Sequence, residues 1–294
     1  VASAPIHHGE VLQGAFPRGP GLVRGLVTLP CAMYSVRAAF TPDASGEVTV
    51  VPAWKSKART AAGLALVALD LPGGGRLELS GDVPLGRGFG SSTSDVLAAI
   101  NAVGNAFRVT PTPEEAAKVA VQAEIASDSL MFGDRAVLFA QREGEVIEDF
   151  GAPLPQLRIL GFGSRPSHDG TAGRGLDTLA LPPARYTRRE TERFAELRAM
   201  LREAIATKDL PLLGEVATAS TRINQRHLPI PALDRILGIV DEVGAAGLQT
   251  AHSGDISGII LDRDDPEVDA CTEHAQRALR AIGIVEQWKF NTDD

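Results

Sequence analysis

Gly86, Gly88 and Gly90 are spaced by Arg87 and Phe89 and run straight into Ser91-Ser92-Thr93-Ser94, after which Val96, Ile100, Val103 and Phe107 recur at helical spacing. Such a stretch has few ways to fold. The apolar stripe buries one helix face and so fixes the helix N-terminus, while the glycines let the preceding backbone turn its N–H groups toward one point. A helix N-terminus carries partial positive charge and unpaired N–H groups, which suit a phosphate. The hydroxyls add ligands for phosphate oxygens or for a hard cation. A serine-capped turn between a strand and a helix would leave similar letters, so both readings stand on this stretch alone. Two other phosphate loops are excluded. No G-x-x-x-x-G-K-[ST] occurs, and Ser91 stands where the dinucleotide fingerprint needs its third glycine.

The chain of 294 residues, 44% hydrophobic, can fill sizeable cores. A net charge of −8 argues against a nucleic-acid surface, and two tryptophans with two tyrosines offer little for base stacking. No apolar run approaches the length of a membrane span, and the first residues lack the basic and apolar regions of a signal peptide, so the chain reads as cytoplasmic with no membrane partner. Cys31 and Cys271 have no C-x-x-C or Cys/His neighbourhood and read as small buried residues.

Period-two alternation over Val36–Phe40 and Leu77–Leu79 predicts half-buried strands, and 58–68 reads as a helix or a helix running into a strand. Thr112-Pro113-Glu114-Glu115 is a capping box that opens a helix to about Ala126. Strands are expected over 136–139 and 145–150, joined around Glu143-Gly144. Pro153 and Pro155 interrupt the chain, which sets the expected division into residues 1–152 and 153–294. In the second half, helices are expected over 188–207 and 232–243 and strands over 157–161, 249–251, 258–261 and 285–289, giving an α+β arrangement. Residues 163–175 are the candidate mobile loop.

Three other segments could carry chemistry. Ala4-Pro5-Ile6-His7-His8-Gly9-Glu10 ends in Val11-Leu12-Gln13-Gly14. In an extended segment His7 and His8 point to opposite faces, so polar lining or a capped turn is favoured over a paired metal site. Glu124 and Asp128 are four apart, and if the helix from Thr112 continued through them both carboxylates would share a face near its C-terminus, a costly placement without a cation. A solvated helix residue and a turn-forming aspartate are the plain alternative. Ala251-His252-Ser253-Gly254 precedes an apolar strand and reads as a tight glycine turn, with His252 as a hydrogen-bonding wall.

The stretch 84–94 resembles the phosphate loop P-x-x-x-G-[LM]-[GA]-S-S-[AT]-[AS] of the superfamily of galactokinase, homoserine kinase, mevalonate kinase and phosphomevalonate kinase, with Phe89 as a mild departure. Many members open with A-P-x-K-x-x-x-x-G-E, and this chain has no lysine there. Gly9 to Gly14 instead looks like the C-G-E-L-I-Q-G opening of the L-threonine kinase branch used in coenzyme B12 synthesis. Ser91 to Asp95, Glu124 to Ser129, Leu212 to Glu215 and Ala251 to Gly254 are similar to further motifs of that branch, in the same order.

The resemblance implies an α+β, two-lobed fold, with an N-terminal lobe like domain 2 of ribosomal protein S5 and a ferredoxin-like C-terminal lobe. It implies ATP and Mg²⁺ as cofactors and a small hydroxyl-bearing acceptor, L-threonine first, with homoserine, serine or another alcohol as alternatives, and it leaves a homodimer open. A non-catalytic nucleotide- or metabolite-binding relative is the alternative from another class. Carried over by residue, Pro84, Gly86, Gly88, Phe89, Gly90, Ser91, Ser92, Thr93 and Ser94 would wrap the phosphates, with Lys57 beside them and the segment from Trp54 near adenine. Ser92 and Glu124 would hold the metal and Asp128 would be the base. The role of Glu124 stays open, because the metal glutamate of mevalonate and homoserine kinases lies about a dozen residues before the base position. Thr93 and Ser94 are expected to cap the helix. Glu10, Gln13, Ser253, Gly254 and Arg222 are the acceptor candidates, with Arg226 and Arg135 as further arginines for a carboxylate and Asp177 as a second anion for an ammonium group.

Overall fold

The computed structural model describes residues 1–83, 89–163, 184–253 and 256–292. Pro84, Gly86, Gly88, Gly254, Asp177 and the expected loop after Gly163 fall outside them. Among the described residues, strands β1 (Ala2–Arg18), β2 (Gly21–Asp43), β3 (Val48–Val51), β4 (Gly74–Gly81), β5 (Val137–Ala140), β6 (Glu145–Asp149), β7 (Leu157–Gly163), β8 (Gly247–Thr250), β9 (Ile256–Asp262) and β10 (Gln287–Asn291) form one sheet. Its order is β10-β7-β9-β8-β1-β2-β4-β3, with β5 and β6 branching from β2. Helices α1 (Ser56–Ala68), α2 (Ser91–Phe107), α3 (Pro113–Glu124), α4 (Arg188–Thr207), α5 (Leu210–Asn224), α6 (Leu233–Glu242) and α7 (Val268–Ala281) pack on it.

β1 is the strand on which the architecture turns. It pairs antiparallel with β2 along nearly its whole length, and Glu10 pairs with Thr250 of β8 on its other edge. Residues 6–15 are all buried, so the strand shows no polar alternation. The register shifts three times between Pro5 and Leu12, and Gly9 takes φ +75 where a β-carbon would stand 2.6 Å from the backbone nitrogen of Ala251. Only glycine fits that approach. These bulges turn successive side chains of 7–10 toward different neighbours.

Among the described residues four apolar clusters fill the fold, the smallest around Leu26, Phe132 and Phe139. Ala38, Phe40 and Leu77 of the sheet meet Ala61, Ala65, Val96, Ile100 and Val103 of α1 and α2. Phe16 and Ile159 meet Phe194, Leu197, Leu201 and Val216 of α4 and α5. Leu160 and Ile259 lie under Ile236, Val240 and Leu279 of α6 and α7. Truncating a fully buried ring such as Phe194 would cost about 3–5 kcal/mol.

The expected helix over 58–68 is a helix throughout its length, as α1. The capping box at Thr112 forms, with Thr112 Oγ1 accepting from the Glu115 N–H and the Glu115 carboxylate accepting from the Thr112 N–H. Helix α3 ends at Glu124, short of the expected Ala126, because Ile125 takes φ +73 and turns the chain away. The expected final strand lies two residues later, as β10. Helices α5 and α7 have no sequence expectation. Their buried faces carry Gly214, Ala217, Ser220 and Thr221 in one and Thr272 and Ala275 in the other, small or polar residues that hide the apolar period.

Candidate active site

The first turn of α2 meets the end of α3 and the bulged part of β1. Gly90 is the N-cap of α2, in the left-handed conformation (φ +62), and no side chain caps the helix. Thr93 and Ser94 therefore do not serve as caps, and their hydroxyls go elsewhere. Ser94 Oγ donates to the carbonyl of Pro5 at 2.7 Å, which ties the helix to β1. Thr93 Oγ1 lies 2.8 Å from Glu124 Oε1 and 3.1 Å from Asp128 Oδ2. Ser92 Oγ donates to Glu124 Oε2 at 2.6 Å and receives the Lys57 ammonium at 3.2 Å.

Glu124 and Asp128 thus converge on one threonine, though not by helical spacing. The chain breaks at Ile125 and returns, and both carboxylates end up buried. Burial pushes the Glu124 carboxyl up, Ser92 counters this, and the Asp128 charge adds to the rise. Ser92, Thr93 and Glu124 offer only hard oxygen donors around a buried carboxylate, a set that fits Mg²⁺.

Asp128 belongs to a second cluster as well. His7 Nε2 lies 2.8 Å from Asp128 Oδ2, a close contact without hydrogen-bond alignment, and the Gly9 N–H donates to His7 Nδ1 at 3.1 Å. His252 Nδ1 lies 2.9 Å from Glu10 Oε1 and 3.9 Å from Asp128 Oδ1. The two imidazole rings stack with centroids 6.2 Å apart. Burial would raise the Asp128 carboxyl, but His7 and then His252 overcome it and hold the group well below the usual carboxylate range. Burial likewise opposes a charged His252, yet Glu10 and then Asp128 lift it to about 9. For His7, burial is outweighed by Asp128 and then Glu10, which raise it, while the Gly9 N–H fixes a lone pair on Nδ1.

His8 faces the other way, as adjacent side chains of a strand must. Its Nε2 accepts from the Trp288 indole N–H at 2.9 Å, its Nδ1 meets the Gln249 amide at 2.5 Å, and burial lowers it to about 3. It is a neutral core residue. Phe89 also turns inward, against His8, Tyr34 and Trp288, so only its backbone can face a ligand.

The remaining candidates spread along the same strand and beyond. Gln13 is buried and gives its amide to the Thr250 carbonyl at 3.2 Å, and Ser253 is buried beside His252. Ser91 borders a hollow of about 250 Å³ with Trp54, Lys55, Lys57 and Ser92. An adjoining hollow of about 170 Å³ shares Trp54 and Lys55 and adds Val36, Leu79 and Val83. Lys55 pairs with Asp95, which separates its charge from that of Lys57. Arg222 is exposed on the last turn of α5. Arg226 pairs with Glu190, and Arg135 with Asp149 and Glu114. Sequence reasoning gives His7 only a lining role. The available signal is its place after Ala4-Pro5-Ile6, where the superfamily opening has lysine.

The fold itself is shared with solved small-molecule kinases. Homoserine kinase from Cytophaga hutchinsonii superimposes with a TM-score of 0.63 over 99% of this chain and 94% of that one, at 13% identity. The fold is the two-lobed α+β fold of that class. Residues 54–136 match the GHMP kinases N terminal domain. L-threonine kinase from Citrobacter freundii is 30% identical over 196 residues, which cover 66% of this chain and 65% of that protein. Homoserine kinase from Lactococcus lactis subsp. cremoris is 24% identical over 190 residues, or 63% of this chain and 61% of the relative. Over these spans the chain is similar to GHMP kinases. Its matches span less than two thirds of the length of these curated relatives. No described helix is long and apolar enough to cross a membrane.

Proposed function

We propose that this protein is an ATP-dependent kinase that phosphorylates the hydroxyl of a small amino acid, with L-threonine as the first candidate and O-phospho-L-threonine and ADP as products. The observation that carries the reading is the convergence of Glu124 and Asp128 on Thr93, one turn inside the glycine-capped end of α2. A phosphate seated on that helix end would have a metal-type oxygen set on one side and a second carboxylate on the other. The similarity to L-threonine kinase supports the acceptor.

In this reading Gly90, Ser91, Ser92 and Lys57 face the ATP phosphates, together with Pro84, Gly86 and Gly88, and Trp54 borders the nucleotide hollow. Ser92 and Glu124 would hold Mg²⁺, which supplies charge neutralisation on the transferred phosphoryl group when bound. Asp128 orients the acceptor hydroxyl and takes its proton. A carboxylate held strongly ionised is a weak base, and this suits a loose phosphoryl transfer in which positioning contributes more than proton abstraction. Glu10, Gln13 and Ser253 would line the acceptor side, with Gly254 and Arg222 as further acceptor candidates. The division at residue 152 would set the phosphate wall in the first lobe and the His252 turn in the second.

The test is ADP release from Mg²⁺ATP with threonine, serine, homoserine and uncharged alcohols as acceptors. Threonine-dependent turnover is expected. Turnover with homoserine alone would move the acceptor to the second reading, which the Lactococcus relative favours. No acceptor-dependent turnover would remove the kinase assignment and leave a nucleotide- or metabolite-binding protein.

A further inference from the structure

Glu10 is a fully buried carboxylate with one oxygen left over. Oε1 meets His252, whereas Oε2 has no hydrogen-bond partner among the described residues. An ionised oxygen in that position has lost its water and gained nothing, a costly state unless a ligand completes it. Atoms of His7, Glu10 and Asp128 lie within 4.8 Å of one another, so the two carboxylates border one small space. His252 caps that space and is the only member of the cluster with real solvent access, its side chain being 31% exposed against 0% for Glu10 and 6% for Asp128. It stands on a turn after β8, not in a strand.

An imidazolium brings one N–H to this space, through Nδ1. An ammonium group brings three, in a compact cation. It can satisfy both oxygens of Glu10 at once, which His252 does not. The Asp128 carboxylate then lies within reach of a hydroxyl on the neighbouring carbon.

Building on the kinase reading, we propose that the acceptor is a vicinal amino alcohol whose ammonium group replaces His252 on Glu10 while its hydroxyl lies against Asp128. His252 is the resident cation of the empty site. It keeps two buried carboxylates compensated until the acceptor arrives. Selection follows from the short span between the carboxylates. Threonine, serine and 1-amino-2-propanol place the two groups on adjacent carbons, whereas homoserine separates them by one carbon more, and 3-hydroxybutyrate has no ammonium at all.

The experiment compares kcat/KM for these five acceptors with Mg²⁺ATP, in the wild type, Glu10→Gln and His252→Ala. Removing the ammonium should lower kcat/KM about 100-fold in the wild type, because a site built around a buried charge rejects a ligand that leaves it unpaired. Glu10→Gln should narrow the threonine to 3-hydroxybutyrate ratio about tenfold or more with the ATP KM unchanged. His252→Ala should lower the threonine KM several-fold by removing the competitor. Equal use of threonine and 3-hydroxybutyrate overturns the proposal, and so does a preference for homoserine or a raised threonine KM in His252→Ala.

A second readout does not depend on turnover. In the wild-type chain, the His252 ring proton resonances should shift on adding threonine or 1-amino-2-propanol and stay in place with 3-hydroxybutyrate. That shift without any ADP release would keep the ammonium site and remove the kinase reading. Turnover confined to uncharged alcohols would do the reverse, and neither shift nor turnover would remove both. A shift caused by a divalent cation alone, without ATP and without any response to threonine, would make the cluster a metal site and overturn the proposal.

Discussion

Gly90 gives up its side-chain space to His7: a β-carbon on this glycine would stand 1.9 Å from both Cδ2 and Nε2 of the His7 ring. The N-cap of α2 and the histidine beside Asp128 are therefore in direct contact, and the phosphate wall of the proposed site is packed on its acceptor wall. Gly90→Ala meets both this overlap and a left-handed φ of +62. The variant should lose about 1–3 kcal/mol in urea unfolding and most of its turnover. Wild-type stability in Gly90→Ala would mean that the ring and the helix end are not packed as described.

Asp128→Asn keeps the shape of the site and removes the charge opposite His7 and His252. Acceptor-dependent kcat should fall about 100-fold or more with little change in the KM for ATP. A near-normal kcat would end the assignment of Asp128 as the hydroxyl-orienting group.

Ser92→Ala removes the hydroxyl that links Lys57 to Glu124. The Mg²⁺ concentration needed for half-maximal turnover should rise several-fold, and kcat at saturating Mg²⁺ should fall less. An unchanged Mg²⁺ requirement would take Ser92 out of the metal set.

Two histidines set opposite arms of the stability profile. His8 binds its proton at about pH 3 in the folded chain, below its ordinary value of 6.5, so the unfolded chain takes up the proton first and stability falls as pH drops below 6.5. His252 is shifted the other way, to about 9, so its contribution is complete below 6.5 and is lost as pH rises through 9. Melting temperatures from pH 4.5 to 10 should decline toward both ends, and His252→Gln should make the alkaline arm shallower without changing the acid arm, leaving the part that His7, also raised, contributes. An unaltered alkaline arm in that variant would show that His252 is not held as a cation.

Ile125 is a β-branched residue at φ +73 and is 60% exposed. A positive φ with ψ −39 is a sparsely populated backbone state that costs an L-residue about 1–3 kcal/mol, and there is little burial to lose. Ile125→Gly relieves that strain against a smaller gain in unfolded-chain entropy, so stability should stay level or rise by up to about 1 kcal/mol. A loss larger than that would mean the joint between Glu124 and Asp128 is not strained.

The helical elements built on a regular apolar stripe were readable in advance: α2, α3, α4 and α6 all have one, and Thr112 to Glu115 announces its own cap. β1 and β2 were not. With helices over one face and strands on both edges, residues 6–15 of β1 are buried without alternation, and Gly9 and Gly14 look like turn residues when seen in sequence alone. In the site, the hydroxyl run and the carboxylates stood out as letters. The fold that unites them did not, because Glu124 and Asp128 meet across a broken helix and His7 reaches Asp128 across 121 positions of chain. The glycine-rich run at 86–90 pointed to a helix end, while its neighbour on β1 could be found only in three dimensions.

His7 and His8 look like a repeated letter, yet one ring ends among the charged groups at Asp128 and the other among Trp288, Phe290 and Gln249. A genetic screen would sort them into different phenotypes. Lesions at His7 would lower turnover through Asp128 and the helix end as well as stability, and lesions at His8 would act on stability alone, as temperature-sensitive alleles with low abundance. Second-site suppressors would follow the same split, with those of His8 arising around Trp288 and those of His7 seldom arising at all.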